Sequence, residues 1–191
     1  MDDESAQWLS LEDCVWERSV LRSKHALRPS LNKYRDLFRD TLEVSNATVD
    51  MLVGDLVPFM GKIIDDEDDF QYSKELLQEI ARKRPKKDEL EGLYGEPCWP
   101  CRTPQDSWQL CKLSKFYVND RQNLFRLFAK SHVFLDFDFD HSKKLANLLR
   151  NLECKNFLSE QVSIGIEPCG SLVFSDDLTQ DFRGRAKALA K

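Results

Sequence analysis

Residues Asp65 to Lys87 read DDEDDFQYSKELLQEIARKRPKK, and the order of charges around the apolar positions of this stretch sets the reading of the chain. Tyr72, Leu76, Leu77 and Ile80 recur at steps of three and four, the spacing that lines one face of an α-helix. Five acidic residues, Asp65 to Asp69, precede this stripe, and Arg82, Lys83, Arg84, Lys86 and Lys87 follow it. A helix leaves unpaired N–H groups at its first turn and unpaired C=O groups at its last. Acidic-then-basic order is therefore favoured, by about 0.3–1 kcal/mol per charge near an end. Pro85 offers no N–H and stops the helix. A helix over Phe70–Ala81 is predicted.

Upstream, Leu31, Tyr34, Leu37, Phe38 and Leu42 form a second apolar stripe, which predicts an amphipathic helix over Leu31–Leu42. Ser45 or Asn46 is placed to cap a third, Val49–Val57, which Pro58 and Gly61 end. Beyond Gly92 the period changes. Pro97 to Arg102 and Trp108 to Leu113 read as strands around the turn-forming Thr103-Pro104-Gln105-Asp106, and Phe116 to Val118 and Val133 to Phe139 as further strands. Asp120 is expected to cap a helix over Asn123–Phe128, and Asp140 or Ser142 one over Ser142–Leu152. A short helix near Phe157 to Val162, a strand near Ser163 to Ile166 and a helix over Leu178–Ala190 complete the pattern.

The expected fold class is α+β: a helical region over 1–90 and a mixed strand and helix region with a small sheet over 91–191. These form either one continuous domain or part of something larger, with Lys83 to Gly95 as the boundary. With 191 residues, 41% of them hydrophobic and 32% charged, the chain can bury a core of its own. A net charge of −5 argues against a protein-wide field for nucleic acid. The acidic start Met1-Asp2-Asp3-Glu4 is no signal peptide, and no apolar run approaches the roughly 20 residues that span a bilayer. Six scattered cysteines fit reduced thiols in a soluble protein of the cytosol or nucleus. Lys83-Arg84-Pro85-Lys86-Lys87 also fits a short nuclear-import pattern, but the helix end already accounts for most of it.

Two stretches could carry chemistry. Cys98-Trp99-Pro100-Cys101, with Cys111 and His132 recruited from a distance, could hold zinc or a redox disulfide. Pro100 and Pro104 make this stretch extended, however, and a thioredoxin-type pair needs a helix starting at its first thiol. In a strand, residues three apart point to opposite faces, so at most one of Cys98 and Cys101 should be buried. Asp136 and Asp138 in Leu135-Asp136-Phe137-Asp138-Phe139-Asp140 could hold a hard cation through oxygen. Strand alternation explains them more simply, with Leu135, Phe137 and Phe139 facing the core and the carboxylates in water. His25, His132 and His141 have no HExxH or triad context and read as surface or strand-end residues. Neither GxxxxGK[ST] nor GxGxxG occurs. No residue is assigned as catalytic, cofactor-binding or metal-ligating.

The run Tyr34 to Thr48 (YRDLFRDTLEVSNAT) resembles a stretch of large, mostly fungal, sacsin-like and NO VEIN-like proteins that carry a histidine-kinase-type ATPase domain. Trp99-Pro100-Cys101-Arg102, Phe116-Tyr117-Val118-Asn119-Asp120-Arg121, Leu135-Asp136-Phe137, Phe157-Leu158-Ser159 and Leu178 to Leu189 are similar to further segments in the same order. The resemblance implies a region downstream of the ATPase, whose Asn-rich helix and glycine loops have no counterpart here. It also implies apolar strand roles at Cys98 and Cys101. The expected function is a non-catalytic interaction or scaffold module for a protein partner, stand-alone or truncated. The competing reading is a metal- or thiol-dependent enzyme using Cys98, Cys101 and Cys111 or Asp136 and Asp138. Because only ligands of the native state raise the melting temperature, millimolar ATP with magnesium should leave it unchanged, and a reproducible rise would overturn the non-catalytic reading.

Overall fold

In the computed structural model, residues 9–17, 20–64, 66–163 and 165 are described. Two-residue strands β1 (Cys14–Val15) and β2 (His25–Ala26) pair in parallel, with Cys14 opposite His25. Helix α1 (Arg28–Leu31) leads into a 3-10 turn at Asn32–Tyr34 and a π-helical turn at Leu37–Thr41. Helix α2 (Val49–Leu56) and the long α3 (Glu67–Lys83) follow. Strands β3 (Trp99–Arg102) and β4 (Trp108–Cys111) form a hairpin. Then come α4 (Gln122–Phe128), β5 (Phe134–Leu135), α5 (Phe139–Asn151) and α6 (Leu158–Gln161). The fold is α+β, mainly helical before the hairpin apart from the β1–β2 pair, and mixed after it.

Helix α3 begins a turn earlier than its stripe predicted, because Asp66 accepts a hydrogen bond from the Asp68 N–H (2.9 Å) and draws Glu67, Asp68 and Asp69 into the first turn. Its stripe is fully used: Leu76, Leu77 and Ile80 have no exposed surface, and α3 packs against α2, α5 and β3. The buried cluster around it takes residues from Val15 to Phe157, drawn from both the helical and the mixed regions. Strand β3 is central to its sheet, antiparallel to β4 with Trp99 opposite Cys111, and antiparallel to β5 with Cys101 opposite Leu135. The Phe116–Val118 strand is reduced to bridges, Tyr117 with Phe134 and Val118 with Phe157.

The segment around Arg22 is held against α2 and α3 by one polar cluster. The Tyr72 hydroxyl donates to Asp55 Oδ2 (2.5 Å), which also accepts from the Arg22 N–H (3.0 Å) and the Ser23 N–H (3.3 Å). The Arg22 guanidinium lies 3.9 Å from the centre of the Tyr72 ring and pairs with Asp69 at 2.6 Å. Partial burial, then the bond to Asp55, pushes the Tyr72 hydroxyl up to about 12. Burial alone would raise Asp55, but the bonds from Ser23, Tyr72 and Arg22 outweigh it and hold the carboxyl below its ordinary range.

Several expectations need correction. The predicted Leu31–Leu42 helix is broken into short helical, 3-10 and π turns, and Tyr34 and Leu37 are about half exposed. Of its stripe, Phe38 packs against Trp16, but Tyr34, Leu37 and Leu42 stay exposed, so tertiary context overrides the local pattern. Thr48, not Ser45 or Asn46, caps α2 by accepting from the Met51 N–H. Asp120 does not cap α4. It accepts from the N–H (3.0 Å) and the hydroxyl of Ser159, tying the segment before α4 to α6. The Val133–Phe139 strand is only Phe134–Leu135, because Asp138 caps α5 and makes Phe139 helical. Of the Ser163 to Ile166 strand only Ser163 and Gly165 are among the described residues and neither is in a strand, and the Leu178–Ala190 helix falls entirely outside them.

The contrast between the two stripes is measurable. Leu76→Ala should cost about 2–5 kcal/mol in denaturant unfolding by opening a cavity under α3. Leu37→Ala, on a half-exposed side chain, should change stability by only about 0.5 kcal/mol.

Candidate functional site

Helix α3 buries one face and turns Glu75, Gln78, Glu79 and Arg82 outward at steps of three and four. On α5 the positions His141, Lys144, Leu145, Leu148 and Asn151 follow the same period. The two helices run side by side in the same direction. Lys74 of α3 reaches Asp136 just before α5 (3.0 Å), and at the far end the Asn151 amide donates to the Pro85 carbonyl (3.3 Å). Between them lies a groove of ≈ 880 Å³, lined also by Val20, Ala81, Arg84 and Pro85. Leu145 and Leu148 are buried in its floor, while Lys143, Lys144 and Arg84 stand on its rim.

The charges of the rim are unevenly paired. Arg82 is tied to Glu79 at 2.6 Å, and the Gln71 amide donates to Glu75 at 3.4 Å. The Lys143 ammonium lies 4.3 Å from the centre of the Phe139 ring. Among the described residues, Lys143, Lys144 and Arg84 have no carboxylate partner. Arg84 caps α3 in the left-handed region, with φ of +52°, a conformation that Gly adopts with less strain. Sequence reading missed this site because each helix contributes half of it, and the pairing of α3 with α5 has no local signature.

The sequence-predicted chemistry is dispersed. Asp136 is not in water: it accepts from Lys74 (3.0 Å) and from Arg102 Nε (3.0 Å), with its side chain only 17% exposed. Burial opposes its charge, but the Arg102 and Lys74 hydrogen bonds win and hold its carboxyl below the ordinary range. Asp138 caps α5 by accepting from the His141 N–H (2.8 Å) and also bonds His141 Nδ1 (2.7 Å). These contacts, the backbone one foremost, keep its carboxyl low. The two carboxylates therefore serve different partners, so the predicted placement of all three carboxylates in water is corrected at Asp136.

Both Cys98 and Cys101 are buried, against the expectation that at most one would be. Cys98 precedes β3 in a tight turn, its N–H bonded to the Glu96 carbonyl, so strand alternation does not govern it. Burial pushes the Cys98 thiol up to about 12 and the Cys101 thiol well above its ordinary range. Cys101 lies opposite Gln109 and Cys111 opposite Trp99, which makes the two cysteines diagonal neighbours on one face. A hydrogen bond from the Cys101 thiol, acting against burial, lowers Cys111. No group of three or more His, Cys, Asp or Glu side chains is placed to hold a metal among the described residues.

A second cleft, ≈ 360 Å³, is lined by Tyr117, Phe128, His132 and α6 residues. The His132 ring meets Tyr117 and Phe128 edge-on, and its Nδ1 bonds the Ser131 hydroxyl (2.8 Å). His25 lies exposed in β2. No helix among the described residues is long and apolar enough to cross a membrane.

An α+β domain with a rim-charged groove between two same-direction helices is thus the class of protein that the fold defines. The chain belongs to the family described as Domain of unknown function (DUF8348), whose model matches residues 50–162. That match spans both groove helices and the three-stranded sheet, and leaves β1 and β2 outside it. No curated protein and no solved structure matches the chain.

The Asp136 contacts predict a pH signature. A carboxyl held below its unfolded value of about 3.9 contributes stability that is present above that pH and lost as pH falls through the folded value. Asp136→Asn should therefore lower stability by on the order of 1–2 kcal/mol at pH 7. The gap from wild type, followed by urea unfolding, should close below about pH 4.

Proposed function

We propose that the chain is a non-catalytic interaction module, and that the groove between α3 and α5 is where a segment of a partner protein docks. The observation that carries this reading is the groove itself, with the partly buried Val20 and Ala81 as its apolar lining over the core residues Leu145 and Leu148, and charged side chains along both walls. A helix lying in such a groove would place residues at steps of three and four against the floor. The thiols and carboxylates that enzyme chemistry would need are engaged elsewhere: Cys98 and Cys101 in the core, Asp136 with Lys74 and Arg102, and Asp138 at the α5 cap.

In the same reading, the chain is a stand-alone or truncated relative of the large fungal sacsin-like and NO VEIN-like proteins, acting in the cytosol or nucleus. Its support is the ordered series of similar segments, three of which fall on β3, the bridged stretch at 117–118 and β5. The free cysteines Cys14, Cys98, Cys101, Cys111 and Cys154 suit a reducing compartment.

Site-specific photo-crosslinking in cells tests the docking site. A benzophenone side chain at Asn147, on the groove wall, should capture a discrete partner protein, whereas one at the exposed Leu127 of α4 should not. Equal capture at both positions, or none at Asn147, would overturn the reading.

A further inference from the structure

We infer that the groove between α3 and α5 recognises an acidic amphipathic helix of two to three turns. The inference rests on the groove being a docking site and adds the chemistry of its occupant. The length follows from the walls. His141 to Asn151 spans ten residue steps of α5, roughly 15 Å at the helical rise of 1.5 Å per residue. Val20 and Ala81, partly buried, offer apolar contact to one face of such a helix, with Leu145 and Leu148 buried behind them as part of the core.

The sign of the occupant follows from the rim. The lining holds the cations Arg82, Arg84, Lys143 and Lys144 against the carboxylates Glu75 and Glu79, in a chain whose net charge is −5. The Arg82–Glu79 pair neutralises one charge of each sign, and His141 is occupied by Asp138. Lys143, Lys144 and Arg84, which have no carboxylate partner among the described residues, outnumber the remaining carboxylate Glu75, so the excess is positive. A cationic rim inside an anionic surface selects an incoming acidic segment and repels a basic one. The chain's own stretch 178–190, with Arg183, Arg185 and Lys187, has the wrong sign for the groove. Arg84 adds a separate observation. Its left-handed backbone, where Gly would cap α3 with less strain, places on the groove lining a guanidinium that has no carboxylate partner among the described residues.

Panning a displayed library of 16-residue peptides against the purified full chain tests the inference, with Asn147→Trp as a variant that fills the groove. Binders lost on Asn147→Trp and rich in Asp and Glu at helical spacing are expected. Their affinity should fall by about tenfold in Lys144→Glu combined with Arg84→Glu, and should weaken as salt rises. Arg84→Gly, which relieves the left-handed strain, should match or exceed the melting temperature of the wild type and still weaken these peptides. That outcome separates a recognition role for the guanidinium from a structural one. Groove-dependent binders that are neutral or basic, or that ignore the charge reversals, would overturn the acidic occupant while leaving the docking site intact. Failure to find any groove-dependent binder would overturn the docking site and the inference together. If a 20-nucleotide single strand of DNA binds with the same dependence on Lys144 and Arg84 and displaces the peptides, the occupant is nucleic acid and the proposal falls.

Discussion

Everything in this fold is arranged around one helix that cannot stand alone. The apolar face of α3 is buried completely at Leu76, Leu77 and Ile80, and three different elements, α2, α5 and β3, are needed to cover it. A helix of this length gains most of its stability from the surface it packs against rather than from its own propensity. The polar links at its flanks set direction and register. Arg22 and Asp55 engage Tyr72 and the first turn, Asp136 receives Lys74, and Asn151 closes on Pro85. Removing water from the stripe is the driving term, and the links choose which neighbours supply the cover.

The groove is a by-product of that arrangement. Two parallel helices that share a buried floor must diverge at their outward faces, where the side chains are too long and too charged to interdigitate. The α3 wall contributes Glu75 and Glu79 with Arg82 and Arg84, and the α5 wall Lys143 and Lys144; among the described residues Arg82 pairs with Glu79 and His141 with Asp138, while these two lysines and Arg84 have no carboxylate partner. Exposed cations left without partners gain little for stability, since surface pairs typically contribute under about 1 kcal/mol. Their energetic weight falls instead on association, where the rim can steer and select an oppositely charged segment.

The thiols illustrate the opposite regime. A CxxC spacing carries chemistry only when the backbone turns both sulfurs toward one point and something stabilises the thiolate. Here β3 starts after Cys98, so that residue is set by a turn, while Cys101 follows the strand and meets Cys111 of β4 instead. Burial keeps the Cys98 and Cys101 thiols protonated. Proximity in sequence and proximity in space thus pair different cysteines.

Long-period patterns were legible in the sequence alone. The stripe and flanking charges of α3 fix a helix, since each is a local property of consecutive residues, and the alternation and turn residues around Thr103 to Asp106 fix the β3–β4 hairpin. The α+β class follows from those two periods. What the sequence could not decide was which stripe would find a cover. The stripe over Tyr34 to Leu42 has the same spacing as that of α3, yet the tertiary structure breaks it into short turns and leaves Leu37 half exposed. Caps shifted for a related reason: Thr48 and Asp138 were chosen over Ser45 and Asp140 by where the chain enters each helix. The groove belongs wholly to tertiary structure, because Arg84 and Lys144 lie sixty positions apart and meet on one rim only after α3 and α5 bury their apolar faces in a common core.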